Sequence, residues 1–552
     1  MRKITGMICA LIILLNVETQ AKKVYVKLNT DVDAWTNVVQ DADNVVFILP
    51  AGDTKFNTAL GSIALNDVVW VAKGIYTNNG AINMNTDRAG IKIYGGFKGD
   101  ETTLEARRQI DSDGNGIIEP WEFEYITQFK GDMNDVPSFR MFTMNSDNVV
   151  VDGITISDNN NTTDTGSGAY IKGVGATMSR CIVRNCITAW SRASNAVNGG
   201  GIFMENGTII GCLIENCQNN NLATAGSAYG GGINLNGNTC IIRNSTLRNN
   251  VVNSTQNALG GGLFINSGAT AENCVIYNNN SSFRGGGIYV HTSGSDPVRL
   301  VNLTVVNNIA ATDGGGIFCN RGTTFIYNSI FWGNTNQAAI TNNFNLNQVC
   351  YANANAFNGT QGFGVWELGK NSNPSPIEIT LQPVNNLNVD YPTGLVPRFT
   401  RATSFSGIGY DFIDGSLAEI TKANWTLQPG SDLIDKGVNS ITNTPFTIST
   451  TDMIGHTRPY GTSYDLGAYE FNGTTAIPSV MNYSNYKFTV SQNGVKVNGI
   501  TDRTVVTAYN VVGAKINSSV LSDGETLQLS HHGIYLLKVT EKGHSQSYKF
   551  IY

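Results

Sequence analysis

Hydrophobic residues alternate with a period of two through the middle of the chain. In short runs such as Ile202–Met204, Leu263–Ile265 and Ile288–Val290, the first and third residues are aliphatic or Met. A period of two places those residues on one face of a β-strand, whereas a helix would require a period near 3.6. The pattern therefore predicts an all-β fold of short strands separated by Gly and Asn turns, with the first and third positions in the core.

Two sequence markers recur in step along this region. Glycine triplets followed by an aliphatic residue end at Gly201, Gly232, Gly262, Gly287 and Gly316, and a weaker version ends at Gly168. A second signature starts at Ile154, Cys181, Cys212, Ser245, Cys274, Leu303 and Ser329. Both repeat about every 29 residues, and such a repeat of short strands is typical of a solenoid. We predict a right-handed parallel β-helix in which each coil hydrogen-bonds to the next.

Equivalent residues of successive coils should form ladders along the β-helix. One asparagine ladder contains Asn244, Asn273, Asn302 and Asn328, and another contains Asn185, Asn216, Asn249, Asn278 and Asn307. Asparagine tolerates the left-handed backbone conformation that tight corners require, so a structural role is expected for both ladders. Cys181 and Cys212 share one stack, and Cys186 and Cys217 share another. The sequence leaves open whether these thiols are oxidised.

The strand pattern divides the chain into five segments. Residues 1–21 have the pattern of a secretory signal peptide: two positive charges, an apolar run from Ile4 to Val17, and a small-residue cleavage site ending at Ala21. Residues 22–150 are predicted to be N-terminal capping coils, 151–335 regular coils, 336–475 irregular and closing coils, and 478–552 a small β-sandwich. No later apolar run is long enough for a transmembrane segment.

Composition and charge exclude several classes of protein. Only 14% of the residues are charged and 60 are glycine, and the formal charge is −6 with a pI of about 5.5. A chain without a basic surface has nothing to neutralise phosphates, so no nucleic-acid partner is expected. The 41% hydrophobic content disfavours disorder. We expect an extracellular, turn-rich protein.

One local motif predicts a metal site. The segment from Asp111 to Glu122 matches the twelve-residue calcium loop of EF-hands at each ligand position, with glycine at position 6 and a carboxylate at position 12. The predicted calcium ligands are Asp111, Asp113, Asn115, the Ile117 carbonyl, Glu119 and Glu122. An acidic surface loop with an accidental pattern is the alternative. We expect bound Ca²⁺ to stiffen an entry loop rather than to take part in catalysis.

Aromatic residues dominate one outward position of the repeat. Because they occupy the middle of runs whose flanking residues face the core, the predicted ligand-binding residues are Tyr170, Phe203, Phe264, Tyr289 and Phe318, with Asn234 interrupting the series. An exposed stripe of this kind is typical of a contact surface for sugar rings or a protein partner. The alternative is intramolecular, with the rings stacked on one another or covered by the segment from Thr335 to Thr400.

Enzyme signatures are mostly missing. The five histidines have no metal-ligand spacing, and no P-loop, nucleophile elbow or dinucleotide fingerprint occurs. The serious enzyme alternative is a β-helix polysaccharide lyase or glycoside hydrolase. Few carboxylates lie in the regular coils, and they occupy different offsets in the repeat, so no catalytic residue is assigned. Arg184 and Arg248 share a register, but they are two coils apart with Glu215 between them.

Several motifs support a family resemblance over most of residues 22–472. The chain resembles secreted β-helix proteins of Bacteroidota of the choice-of-anchor Q type in the segments Val68–Ala72, Gly74–Tyr76, Ile93–Phe97, Asp435–Gly437 and Asp465–Glu470. The glycine coils also resemble the repeats of chlamydial polymorphic outer-membrane proteins. This resemblance implies a β-helix at the outer surface of a Gram-negative cell and supplies no active site.

The last 75 residues resemble a different family. Val511–Lys515, Gly533–Val539 and Lys549–Ile551 are similar to the sorting domains of type IX secretion, although the chain ends in Tyr552 rather than a basic residue. This resemblance implies that the secretion machinery is a partner. A generic adhesive β-sandwich is the alternative. Together the patterns favour an exported, non-catalytic recognition or adhesion protein with a carbohydrate or protein ligand.

Overall fold

The computed structural model describes residues 21–472 and 486–551, except for internal gaps of which the longest span 337–343, 359–386, 390–397, 403–419 and 441–447. Residues 1–20 of the predicted signal peptide lie outside the described residues. The chain divides into two units, Met1–Gly473 and Thr474–Tyr552. The first unit is a right-handed parallel β-helix, and the second consists of antiparallel sheets, so the predicted fold class is confirmed.

Three long parallel sheets form the walls of the β-helix. We name them sheets A, B and C in the order in which a coil passes through them. Sheet A contains the strands Lys23–Leu28, Asn44–Leu49, Val68–Ala72, Lys92–Phe97, Val150–Asp152, Thr177–Ser179, Thr208–Ile210, Ile241–Arg243, Thr270–Glu272, Val298–Val301, Thr324–Tyr327 and Cys350–Asn353. Asn44–Leu49 is at the edge of this sheet beside Lys23–Leu28, and from Val68–Ala72 onward neighbouring strands belong to successive coils.

Sheet B forms the second wall, and in most regular coils it bends at an asparagine corner. Its strands are Gly74–Thr77, Thr127–Lys130, Ile154–Asn161, Ile182–Thr188, Leu213–Glu215, Gln218–Asn221, Thr246–Arg248, Val251–Ser254, Val275–Tyr277, Asn280–Ser281, Thr304–Val306, Ile309–Ala310, Ile330–Trp332, Thr335–Asn336, Ala356–Asn358 and Leu387–Val389. The residues between paired segments, such as Asn216 and Asn249, have positive φ and turn the chain.

Sheet C closes the coil, and a short sheet D lies beside it. Sheet C contains Ile82–Met84, Phe142–Met144, Ala169–Ile171, Ile202–Met204, Ile233–Leu235, Leu263–Asn266, Ile288–His291, Ile317–Arg321 and Phe344–Leu346. Sheet D contains Ala196–Asn198, Ser227–Tyr229 and Asn257–Leu259. A 3-10 turn covers Thr86–Arg88, and Phe399–Arg401 pairs antiparallel with Asn424–Leu427.

The second unit contains two antiparallel sheets. One consists of Lys487–Ser491, Gly494–Asn498 and Thr526–Gln528, and the other of Thr504–Tyr509, Lys515–Leu521, Ile534–Glu541 and His544–Ile551. A buried cluster that includes Val497, Val506, Leu527 and Leu537 forms its core. In the described part of the chain, no helix is long and apolar enough to cross a membrane.

The predicted register of the coils is confirmed in sheet C. Ile202 pairs with Ile233, Ile233 with Leu263, and Leu263 with Ile288, and all of these side chains are buried in one continuous core. The glycine triplets are required because the coils approach closely there. A Cβ atom on Gly231 would lie 2.3 Å from the Gly261 carbonyl oxygen, which is closer than any side chain tolerates.

The asparagine ladders occupy the corners as predicted. All nine of the predicted residues have φ between 50° and 55°, the left-handed conformation that asparagine tolerates. A further ladder runs inside the core, where Asn279 accepts a hydrogen bond from the Asn250 backbone N–H at 2.9 Å and donates to the Leu247 carbonyl at 2.9 Å. Both predicted stacks consist of buried free thiols, and the buried free thiols of the described part of the chain are Cys181, Cys186, Cys212, Cys217, Cys240, Cys274 and Cys319.

Candidate functional site

The segment 111–122 forms a tight loop held by its own carboxylates. Asp111 accepts hydrogen bonds from the backbone N–H groups of Gly114, Asn115 and Gly116 at 2.8–3.1 Å. Gly116, which the calcium-loop pattern assigns to the sharp turn, has φ of 89°. An antiparallel bridge between Gln109 and Phe123 closes the base of the loop. The loop is therefore closed by a single β-bridge and does not connect two helices.

Three of the predicted calcium ligands converge. Carboxylate oxygens of Asp111, Asp113 and Glu122 lie within 4.8 Å of one another. Backbone N–H groups orient these carboxylates, since Glu122 accepts hydrogen bonds from Ser112 and Glu119 at 2.8 and 2.9 Å. Oxygen atoms are the ligands that Ca²⁺ prefers. The arrangement brings together positions 1, 3 and 12 of the loop pattern.

The remaining predicted ligands are arranged differently. Asn115 donates a hydrogen bond to Glu119 at 2.7 Å and accepts one from the Ile117 backbone N–H at 2.7 Å. Glu119 is only 5% exposed, and its second carboxylate oxygen, Oε2, has no hydrogen-bond partner. A buried carboxylate oxygen without a partner is costly. The loop therefore offers an unfilled oxygen beside the converging carboxylates, which fits a calcium site.

Burial perturbs the acidic groups of the loop. Desolvation raises the pKa of Asp113 to about 6, although Arg248 acts in the opposite direction. Desolvation also raises the pKa of Glu119 well above its usual value, and the neighbouring Glu122 adds to this effect. A bound cation would favour the charged forms of both groups. A cation in the loop would therefore offset part of the cost of burying these carboxylates.

The loop is packed between the outside of sheet B and a closing segment, which we define as residues 420–470. Ile117 and Trp121 belong to a buried cluster with Tyr277 of sheet B and with Trp425 and Tyr469 of the closing segment. Asn424 donates a hydrogen bond to the Asn115 carbonyl at 2.9 Å. The loop therefore contacts a segment that lies 309 residues further along the chain.

A ladder of alternating charges crosses the outside of sheet B beside the loop. Arg184 pairs in register with Glu215, and Glu215 with Arg248. Glu215 Oε1 lies 3.2 Å from Arg184 Nε, and Oε2 lies 2.8 Å from Arg248 Nε. Burial acts to raise the pKa of Glu215, but the guanidinium groups of Arg248 and Arg184 outweigh it and lower the pKa. Glu215 is therefore a charged bridge between two arginines.

Arg248 also connects sheet B to the closing segment. Its Nη1 atom donates to the Tyr277 hydroxyl at 3.0 Å and to the Thr421 carbonyl at 3.3 Å, and it lies 3.6 Å from Asp113. The Tyr277 hydroxyl donates in turn to the Ile420 carbonyl at 2.9 Å. Arg248 is thus buried and held through its Nε and Nη1 atoms.

A second buried network lies at the other side of the loop. Asp152 accepts hydrogen bonds from Arg107 at 2.7 Å and from two nitrogens of Arg180 at 2.8 and 2.9 Å. Desolvation lowers the pKa of Arg107, although Asp152 acts in the opposite direction. Arg107 and Arg180 share this single carboxylate, so the network has an excess of positive charge.

The loop and sheet B enclose a cleft of about 450 Å³. Its walls include Asp113, Trp121, Arg180, Arg184, Glu215 and Thr421. This volume lies within the range of small-molecule binding sites. Residues of the calcium-loop motif and the two arginines that share a register both line this cleft.

The predicted aromatic ladder forms, but its rings are covered. Phe203, Phe264, Tyr289 and Phe318 are 7%, 3%, 3% and 1% exposed, while Tyr170 is half-buried. Tyr170 stacks on Phe203, Phe264 on Tyr289, and Tyr289 on Phe318, with centroid distances of 5.3–5.5 Å. The rings face away from the main core. The intramolecular alternative, in which the rings stack on one another, is therefore the one observed.

Residues outside the ladder provide its cover. Tyr229 of sheet D stacks on Phe264 at 4.9 Å, filling the space beside Asn234, and the guanidinium of Arg284 lies 4.9 Å from the ring of Phe318. Leu259 belongs to the same buried cluster. The period-two pattern identified the outward direction of the ladder, but it did not reveal these covering residues.

The sequence pattern missed most of the cleft. Trp121 and the closing segment have no equivalents at a fixed offset in neighbouring coils, so no periodicity connects them. Arg180 occupies the corner position that Gly211 and Asn244 hold in the next coils, but its residue type is not repeated there. The shared register of Arg184, Glu215 and Arg248 was the sequence signal for one wall of the cleft. It correctly predicted that Glu215 lies between the two arginines. Comparison with known proteins adds no assignment, because no family model matches the chain and no curated protein matches it.

Proposed function

We propose that this protein is an exported recognition or adhesion protein of the outer surface of a Gram-negative bacterium, and that Ca²⁺ in the loop 111–122 organises its recognition site. The observation that carries the proposal is the convergence of Asp111, Asp113 and Glu122 beside the unpartnered oxygen of Glu119. Ca²⁺ at this place would neutralise the loop and hold it between sheet B and the closing segment. The ligand is a carbohydrate or a protein.

Export is proposed on sequence grounds. The pattern of residues 1–21 favours secretion, and the resemblance of residues 478–552 to type IX sorting domains, together with the Bacteroidota resemblance of residues 22–472, favours display at the cell surface. The antiparallel sheets of the second unit are compatible with this role. Replacing residues 478–552 with a stop codon in the producing cell should leave the chain unexported, whereas unchanged surface display would contradict this part of the proposal.

Calcium binding is tested by thermal unfolding of residues 22–552 in EGTA and in 10 mM CaCl₂. With a dissociation constant of about 10⁻⁴–10⁻³ M, saturation stabilises the fold by about 1–3 kcal/mol. Asp111→Ala and Glu122→Gln should each abolish the calcium-dependent shift. Asp296→Asn, an exposed acid elsewhere, is the matched control and should keep it. The absence of a shift in the unmodified chain would reject the site.

A carbohydrate-active enzyme is the second candidate. Arg180, Arg184 and Glu215 line one cleft beside the calcium loop, which is an arrangement that a polysaccharide lyase could use. Incubation with acidic polysaccharides and Ca²⁺, followed by absorbance of unsaturated products and assay of reducing ends, distinguishes the candidates. Turnover that disappears on altering one carboxylate or arginine of the cleft would replace the recognition proposal.

A further inference from the structure

The closing segment begins with a strap, which we define as residues 420–427, that contacts the calcium loop. The Asn424 side chain is buried, and its Nδ2 atom donates a hydrogen bond to the Asn115 carbonyl of the loop at 2.9 Å. Trp425 is 3% exposed and belongs to one buried cluster with Ile117 and Trp121 of the loop. The strap therefore contacts the loop through a buried hydrogen bond and through apolar side chains.

Two side chains of sheet B bind the backbone of the strap. The Arg248 Nη1 atom donates to the Thr421 carbonyl at 3.3 Å, and the Tyr277 hydroxyl donates to the Ile420 carbonyl at 2.9 Å. The same Arg248 atom lies 3.6 Å from Asp113, one of the predicted calcium ligands. The start of the strap is therefore bound by a side chain that also contacts a carboxylate of the loop.

Asp111 fixes the loop backbone at the point where the strap binds. It accepts hydrogen bonds from the backbone N–H groups of Asn115 and Gly116 at 3.1 and 3.0 Å, and the Asn115 carbonyl is the acceptor for Asn424. A predicted calcium ligand therefore orients the residue that binds the strap. A change in the position of this carboxylate should move the Asn115 carbonyl and weaken its hydrogen bond with Asn424.

A cation would stabilise this conformation of the loop. Carboxylate oxygens of Asp111, Asp113 and Glu122 lie within 4.8 Å of one another, so their negative charges repel. The buried Oε2 atom of Glu119 has no hydrogen-bond partner within the part of the chain that the structure describes. Bound Ca²⁺ would offset the repulsion and give this oxygen a partner. Because coupling between two sites is reciprocal, Ca²⁺ should favour docking of the strap, and the docked strap should raise the affinity for Ca²⁺.

The rest of the closing segment is attached to the coils themselves. The Ser449 backbone N–H donates to Glu272 of sheet A at 2.7 Å, and the Ala468 backbone N–H donates to the Thr304 hydroxyl of sheet B at 3.0 Å. These two hydrogen bonds do not pass through the loop. Loss of Ca²⁺ should therefore release the strap while residues 448–470 stay in place.

We propose that Ca²⁺ in the calcium loop is a conformational switch that docks the strap on the loop and on sheet B. The proposal rests on the calcium site of the proposed function and adds a means of regulating the recognition site. The strap carries Thr421, which lines the cleft together with Trp121 and Glu122 of the loop. Release of the strap removes part of the cleft wall and exposes Tyr277 of sheet B, so Ca²⁺ controls the shape of the site.

The first test measures side-chain exposure by hydroxyl-radical footprinting of residues 22–552, in 10 mM CaCl₂ and in calcium-free buffer after dialysis against EGTA. Oxidation of Trp425 and Tyr277 should be at least threefold faster without Ca²⁺, because both rings lose their cover. Tyr464, a buried residue of the closing segment outside the strap, is the internal control and should be oxidised at the same rate in both buffers. In Asp111→Ala, Trp425 should be oxidised at the calcium-free rate in both buffers.

The second test measures the reciprocal effect by calorimetric titration of the same protein with CaCl₂. Asn424→Ala removes the donor to the Asn115 carbonyl and leaves every predicted calcium ligand in place, so the affinity for Ca²⁺ should fall at least threefold. Asn439→Ala is the matched control, because the Asn439 side chain bonds to Thr462 and Tyr464 within the closing segment. This control should bind Ca²⁺ as the unmodified chain does.

The outcomes separate the switch from the calcium site. Calcium-dependent thermal stabilisation with unchanged oxidation of Trp425 overturns the switch and leaves the calcium site standing. An unchanged affinity of Asn424→Ala for Ca²⁺ also overturns the switch. Faster oxidation of Tyr464 together with Trp425 would indicate unfolding of the whole closing segment and contradict a local switch. Absence of both calcium binding and thermal stabilisation overturns the calcium site and the switch with it.

Discussion

The regular coils and the outer cover of sheet B are stabilised in different ways. In the regular coils, contacts join equivalent residues of neighbouring coils, as when Asn279 bonds to Asn250 and Asn308, and these groups are neutral. In the cover, the closing segment contacts sheet B and the loop 111–122 through residues that are 170 to 310 positions apart, such as Arg248 with Thr421 and Asn424 with Asn115. Buried charged groups, among them Arg248 and Glu215, take part in these contacts. Contacts between equivalent residues of neighbouring coils stabilise the solenoid. The cleft and the acidic loop lie where segments outside the repeat pack against sheet B.

Removing one buried charge from the cover should lower the free energy of unfolding more than any of the other changes below. Arg248→Met leaves the buried Glu215 with only the partly exposed Arg184, so the free energy of unfolding should fall by about 3–5 kcal/mol. The double variant with Glu215→Leu should recover much of this loss, because both charges are then gone. Urea unfolding of both variants measures the effect. A double variant as unstable as Arg248→Met would contradict the role of the charge pair.

Loss of an asparagine amide inside the regular coils should lower the free energy of unfolding. Asn279→Ala removes the acceptor of the Asn250 backbone N–H and the donor to the Leu247 carbonyl, so about 2–4 kcal/mol should be lost. The exposed Asn236→Ala should change stability by less than about 0.5 kcal/mol. Urea unfolding in EGTA and in CaCl₂ should give equal losses for Asn279→Ala. A loss of stability seen only in EGTA or only in CaCl₂ would show that the regular coils and the cover are not independent.

The two regions should also differ in their dependence on pH. Desolvation raises the pKa of Asp465 to about 7, and Glu470 adds to this effect. A hydrogen bond to Asp452 raises the pKa of His456. A raised pKa stabilises the fold below the unfolded-state value, near 4 for Asp, and this stabilisation disappears as pH rises through the folded-state value near 7. The closing segment should therefore lose about 1–3 kcal/mol of local stability between pH 4 and pH 8.

Hydrogen exchange measures this difference region by region. After correction for intrinsic rates, protection of residues 448–470 should fall between pH 5 and pH 8, while protection of residues 233–306 should not change. Asp465→Asn should reduce the dependence in the closing segment. Equal loss of protection in both regions would indicate a global effect and contradict the assignment.

The smallest effect is expected in the aromatic ladder. Phe264→Leu removes stacking on Tyr289 and Tyr229 while keeping an apolar side chain, so about 1 kcal/mol should be lost. The exposed Leu222→Ala serves as the control. Urea unfolding of Phe264→Leu measures the effect. A loss as large as that of Asn279→Ala would contradict this ranking.

Much of the fold follows from spacing in the sequence. The glycine triplets and the asparagine corners recur once per coil, so their spacing predicts the register that places Ile233 on Ile202 and Glu215 between Arg184 and Arg248. The calcium-loop pattern likewise predicts the convergence of Asp111, Asp113 and Glu122, because those positions are fixed by a short turn. Asn115 and Glu119 differ from the pattern since they hydrogen-bond to each other.

The sequence by itself determined the β-helix, the inward or outward direction of side chains in its repeated strands and the position of the acidic loop, because all three depend on local periodicity or on short turns. The tertiary structure alone decided that the aromatic ladder is covered and that the loop faces Arg184 across a cleft. Those outcomes depend on the segments that pack against the outside of the solenoid, namely sheet D and the closing segment. The closing segment contacts residues of sheet B that lie far away in the chain and share no repeat with it, so no spacing could predict its contacts. The strands of sheet D do repeat with the coils, but the stacking of Tyr229 on Phe264 joins residues at different positions of the repeat.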